Sequence, residues 1–114
     1  MPEVVIYHNP RCSKSRQTLA LLEQHGVTPT VIRYLDNPPD ASTLRRLLAL
    51  LKMDASSLVR RGEPVYRSLG LDRATEAELI EAMGREPTLI ERPIVVVGDR
   101  AAIGRPPENV LKLL

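Results

Sequence analysis

The sequence predicts an α/β fold: a mixed four-stranded sheet with flanking helices and an all-helical insertion between its second and third strands. Three observations predict it. Near the start, a Val/Ile-rich run, a turn, an amphipathic stretch and a second β-prone run follow one another as β-α-β. Near the end, two β-prone runs flank Gly98-Asp99, a hairpin turn, and a closing helix follows. Between these halves, about residues 40–90, apolar residues recur at intervals of three and four, punctuated by helix caps. At 114 residues the chain reads most simply as one domain, residues 1–114, with no flexible linker to split it.

Residues 3–7 predict a short buried strand. Residues 13–25 predict a helix with Thr18, Leu19, Leu22 and also Leu21 inward. Gly26 ends it in the left-handed conformation, with His25 as a dipole partner in the last turn. Residues 28–35 predict the second strand, and Asp36-Asn37-Pro38-Pro39 a turn. Asp40 caps a helix over 41–52, whose Leu44, Leu47, Leu48 and Leu51 share one face. Asp54 caps a short helix over 55–59. Residues 63–71 are less regular. Thr75 and Glu78 form a capping box for a helix with Leu79, Ile80 and Met83 inward, ended by Gly84; residues 86–90 add one more turn. Residues 92–97 predict a strong strand, 100–103 its hairpin partner, and Pro107 to Leu113 a last helix. The first two strands can be parallel through a right-handed crossover, and the last two antiparallel. That order is the thioredoxin-type arrangement.

Composition excludes several functions. The net charge of +2 is too small to suggest nucleic-acid binding, and no aromatic platform for bases is present. No stretch approaches the ~20 apolar residues that span a bilayer, and the start lacks the features of a signal peptide. With no Phe or Trp and three Tyr, the core must be aliphatic. Thirteen Arg stand against three Lys. A planar, permanently charged fork suits oxyanions, although a high-GC genome explains the same bias. One cysteine cannot form an internal disulfide, which fits a reduced, cytoplasmic setting. One Cys and two well-separated His indicate no metal site.

Cys12 is the leading candidate for chemistry. It opens the first helix, where free amides and the helix dipole favour a thiolate, and Arg11, Lys14 and Arg16 lie close by. The plain alternative is a small buried hydrophobe. Cys12-Ser13-Lys14-Ser15 has C-x-x-C spacing with Ser in the second place. Ser15 cannot resolve a mixed disulfide. Its hydroxyl can donate to a Cys12 thiolate, or it can satisfy local amides only. His8, as imidazolium, can help hold the thiolate or simply fill the turn. Arg60, Arg92 and Arg105 sit at element ends, beside Gly or Pro or one residue from Gly, where this frame could turn them toward the cysteine. For each alone a solvated surface Arg is the simpler alternative.

His8-Asn9-Pro10-Arg11-Cys12-Ser13-Lys14-Ser15-Arg16, Tyr34-Leu35-Asp36-Asn37-Pro38-Pro39, Glu91-Arg92-Pro93-Ile94-Val95-Val96 and Ile103-Gly104-Arg105-Pro106-Pro107 together resemble the ArsC family, nearly end to end. These are glutaredoxin-coupled arsenate reductases of thioredoxin-like fold, and the chain is most similar to the short, YfgD-like members. The resemblance implies that Cys12 is the nucleophile, with His8 lowering its pKa and Ser15 near the sulfur. It implies that Arg60, Arg92 and Arg105 bind the oxyanion, Arg61 being an alternative to Arg60, and that Pro93 is the cis-proline beside the nucleophile. It further implies reduction of arsenate to arsenite in the cytoplasm by a monomer, with no bound cofactor, glutathione as reductant and glutaredoxin as partner. Two other functions fit the frame. One is a glutathione-dependent thiol reductase acting on another substrate. The other is a non-enzymatic regulator like the Spx proteins, which bind RNA polymerase but typically carry the C-x-x-C that is missing here.

Overall fold

The computed structural model describes residues 3–114. The strands are β1 (Val4–His8), β2 (Thr30–Arg33), β3 (Ile94–Val97) and β4 (Arg100–Ile103). They form one sheet in the order β2-β1-β3-β4. β1 and β2 are parallel; the other two pairings are antiparallel. The helices are α1 (Ser13–Gln24), α2 (Ala41–Leu51), α3 (Ala55–Leu58), α4 (Pro64–Ser68) and α5 (Glu76–Arg85), all but the first lying between β2 and β3. This is the thioredoxin-like α/β arrangement that the patterning predicts. The chain divides into two compact units: one runs to Asn37 and resumes over Arg92–Leu114, and the other is Pro38–Glu91.

In the sheet unit, the two-residue period of β1 puts Ile6 and His8 on one face, both buried. Ile6 packs with Leu22 of α1, Val95, Ala102, Val110 and Leu113. α1 ends as predicted, with Gly26 at φ 77° and the His25 Nδ1–H donating to the Leu21 carbonyl at 2.9 Å. β2 is shorter than its apolar run, because the amides of Asp36 and Asn37 both turn back onto the Arg33 carbonyl at 3.0 Å. It is also an edge strand, which leaves Val31 exposed. The β3–β4 hairpin pairs Val97 with Arg100 across Gly98-Asp99, with Gly98 at φ 62°. The closing helix is a 3₁₀ helix, Pro107–Leu113, not an α-helix. Its buried residues, Pro107, Val110 and Leu113, recur every three positions, so three residues per turn aims all of them inward.

In the helical unit, Asp40 caps α2 by accepting from the Thr43 amide at 2.8 Å, and Leu44, Leu47 and Leu48 are buried. Lys52 closes that helix in the left-handed region at φ 58°. Asp54 does not cap α3, contrary to expectation. The Ala55 amide at the start of α3 donates instead to the Glu76 carboxylate, at 2.9 and 3.1 Å, because α5 packs against α3 and presents its first residue there. The Thr75–Glu78 capping box forms, with bonds of 2.9 and 3.2 Å. Gly84 does not end α5, which continues to Arg85. A Cβ at Gly84 would lie 3.5 Å from the Pro39 carbonyl oxygen, an ordinary van der Waals contact. The helix stops before Pro87, which disfavours helical backbone at Glu86 (φ −125°, ψ 79°). One 3₁₀ turn, Pro87–Leu89, follows.

Candidate active site around Cys12

The β1–α1 turn is built on Asn9. Its carbonyl accepts from the Cys12 amide and its side-chain Oδ1 from the Arg11 amide, both at 3.0 Å. Its own amide donates to Ser15 Oγ at 3.0 Å. Arg16 ties the other side through Nη1 to the Pro10 carbonyl at 3.0 Å. Cys12 is thereby fixed as the residue before α1, in extended conformation and half-buried. A sulfur there makes no tight cap of the kind an oxygen makes, but the first free amides of the helix favour its anion.

Burial pushes the Cys12 thiol up. The Ser15 amide, a hydrogen bond from the Arg92 side chain, the Lys14 amide and the Arg92 charge together outweigh it and hold the thiol below its ordinary value. Arg105 adds a contact from Nη2 to the sulfur at 3.6 Å. Its Nε donates to the Arg92 carbonyl at 2.7 Å, so one arginine braces the other over the sulfur. The Arg92–Pro93 peptide is cis, as the resemblance implies, and so is Arg105–Pro106. Gly104 closes the assembly. Its amide donates to the Pro93 carbonyl at 2.9 Å, and an added Cβ would strike Thr18 Oγ1 and lie 2.8 Å from Pro93 Cγ.

His8 and Ser15 form a second, buried cluster. His8 Nδ1 lies 2.6 Å from Ser15 Oγ. Burial, then the charges of Arg33 and Arg16, hold the imidazole below its ordinary pKa. This shift favours the neutral imidazole, whose near partner is the serine hydroxyl. The hydroxyl of Ser15 is likewise engaged by His8 and the Asn9 amide, while its backbone amide is what favours the sulfur anion. The reason is helical: Ser15 lies in the first turn of α1, where its side chain leans back toward β1.

Arg60 and Arg61 belong to the helical unit. Arg60 is half-buried, with Nη1 3.5 Å from Glu91 and Nε 3.9 Å from Glu63. Arg61 is exposed and donates to the Ser56 carbonyl at 3.1 Å. Among the described residues, no group of three or more His, Cys, Asp or Glu is arranged to hold a metal ion. No helix among them is long and apolar enough to cross a membrane.

Sequence reasoning gave no site role to Asn9, Thr18 or Gly104, although it placed Thr18 on the inward face of α1. The Asn9-Pro10 pair is a turn-initiating signal that could have pointed to Asn9. A glycine leaving a strand signals close approach of another backbone, which is what Gly104 permits.

What this site offers chemically is an activated sulfur with two guanidinium forks beside it. Comparison with known proteins agrees with that chemistry. The model of the ArsC family matches residues 7–113. A protein of Escherichia coli (strain K12) called YfgD is 53% identical over 98% of this chain and 97% of its own length. The arsenate reductase of Neisseria meningitidis serogroup B is 44% identical over the full length of both. The solved structure of an arsenate reductase from Vibrio cholerae superposes with a TM-score of 0.96 at 47% identity, over 99% of this chain and 98% of that one. With a family match over nearly every residue and relatives this similar end to end, the chain belongs to the ArsC family.

Proposed function

We propose that this protein reduces arsenate to arsenite, with glutathione as reductant and glutaredoxin as partner. The observation that carries the proposal is the pair of arginines, Arg92 and Arg105, at the Cys12 sulfur. An activated thiolate needs only a general reductant. Two paired guanidinium forks beside it select a tetrahedral oxyanion.

In this scheme the arginines hold arsenate and the Cys12 thiolate attacks arsenic. Water leaves, with an arsenate oxygen and two protons. Glutathione then supplies the second sulfur. Arsenic gains two electrons, each sulfur gives up one, and arsenite departs as a Cys12–glutathione disulfide remains. No second cysteine is available in the chain to break that bond, so an outside thiol must take the glutathione. The resemblance to the family assigns Arg60 to substrate as well, and Pro93 to the surface beside the sulfur.

The test is a steady-state assay with glutathione and glutaredoxin present, offering arsenate, phosphate and glutathionylated peptides in turn. Arsenite should form, and Cys12→Ser should abolish it. Arg92→Ala, Arg105→Ala and Arg60→Ala should each raise the KM for arsenate. Turnover of the peptides with no arsenite from arsenate would favour a thiol reductase of another specificity and overturn the scheme.

A further inference from the structure

A cavity of about 250 Å³ lies against the turn that carries Cys12. His8, Asn9 and Arg11 of the turn line one side, and Arg33, Leu35 and Asp36, after β2, line the other. At roughly 30 Å³ per water it has the space of about eight waters, more than a tetrahedral oxyanion fills. Its charges are mixed. Arg33 Nε lies 3.4 Å from Asp36 Oδ2, which leaves the Nη groups of that fork for another partner. Arg11 contributes a second guanidinium. Two guanidinium groups and one carboxylate complement a zwitterion: a carboxylate on the arginines and an ammonium on Asp36.

We propose that this cavity binds the γ-glutamyl end of the thiol tripeptide that exchanges with Cys12, and so selects glutathione over smaller thiols. The inference rests on the proposal that such a thiol completes the cycle. The γ-glutamyl end is the only part of glutathione with an ammonium and a carboxylate on one carbon. The spacing also fits. Asn9 and Cys12 are the ends of one hydrogen-bonded turn, so their Cα atoms lie less than about 7 Å apart. Two extended residues span about 7 Å. A tripeptide whose sulfur reaches Cys12 is therefore long enough to set its γ-glutamyl end in the cavity, and the mixed charge there is what favours that end.

The test follows thiol–disulfide exchange, which needs no arsenate. Cys12 thiolate attacks glutathione disulfide; one S–S bond breaks, the Cys12–glutathione bond forms, and glutathione thiolate leaves to take a proton from water. Mass spectrometry of the full chain gives the rate for glutathione disulfide and, separately, for hydroxyethyl disulfide, which has no charged ends. The ratio of the two rates removes any change in the reactivity of Cys12 itself. Arg33→Ala and Asp36→Asn, both at exposed side chains, should each lower that ratio about tenfold, the equivalent of about 1.4 kcal/mol. A ratio within twofold of the parent in both variants would overturn the proposal. If the ratio falls but arsenite never forms in the steady-state assay, the cavity assignment stands and the arsenate assignment fails.

Discussion

Replacing Ser15 by alanine should cost far more stability than losing one exposed hydroxyl. Ser15 is fully buried. Its Oγ lies 2.6 Å from His8 Nδ1 and accepts from the Asn9 amide at 3.0 Å. Both partners are themselves buried, at 6% and 7% exposure, so water cannot replace the lost oxygen. Each buried polar group left unpaired costs about 1–3 kcal/mol, which puts Ser15→Ala, with two groups orphaned, at about 2–6 kcal/mol. A chain of this length has on the order of 6–17 kcal/mol in all. Urea unfolding followed by circular dichroism should show a lower midpoint at unchanged slope. His8→Leu in the same chain removes one of the two orphaned groups. The double variant should therefore be about 1–2 kcal/mol more stable than the sum of the single losses. Loss of less than about 0.5 kcal/mol in Ser15→Ala would refute the reasoning, since that is the size of a surface change. Strict additivity would refute the pairing with His8. A serine whose hydroxyl served only the sulfur would weaken the thiolate and leave stability intact, so the alkylation rate of Cys12 against pH separates that case.

Three further outcomes are expected. His8 has a folded pKa below its ordinary value of 6.5, so the unfolded chain takes up its proton first on acidification. Its contribution to stability is complete above pH 6.5 and is lost as pH falls through the folded value; urea midpoints should drop below pH 6.5, and His8→Leu should flatten that part of the profile. Gly104→Ala should cost about 1–3 kcal/mol by overpacking. Its side chain would strike Thr18 Oγ1, so Thr18→Ala should recover part of the loss. Lys52→Gly should raise stability by about 0.5–1 kcal/mol, read as a higher thermal midpoint, because glycine relieves the left-handed strain at φ 58°.

Much of the fold is legible in the residues because its signals are local. The capping box of Thr75 and Glu78, the glycine after α1 and the two-residue hairpin at Gly98-Asp99 each depend on neighbours within a few positions. Where partners are distant, the same kind of reasoning misplaces them. Asp54 has the right identity and position to cap α3, yet Glu76, twenty-one residues beyond Ala55, reaches the free amide. Gly84 looks like a helix end, yet α5 continues through it to Arg85. The last helix is recognisable, but its 3₁₀ winding follows from three buried positions meeting a core supplied by β1, α1, β3 and β4.

The site divides along the same line. The sequence by itself determines that one cysteine stands at the junction of a strand and a helix, because a β-run, a turn and a helical period are local patterns. From that follows a thiolate-favouring position. Only the tertiary structure decides which cations meet the sulfur. Arg105 is ninety-three residues from Cys12, and it arrives because β4 pairs with β3, β3 pairs with β1, and Gly104 is small enough to let the chain close on Thr18 and Pro93. The tertiary structure also decides that His8 is buried, bonded to serine and held below its ordinary pKa. Its charge depends on burial and on Arg33, which the parallel pairing of β1 with β2 places directly across from it.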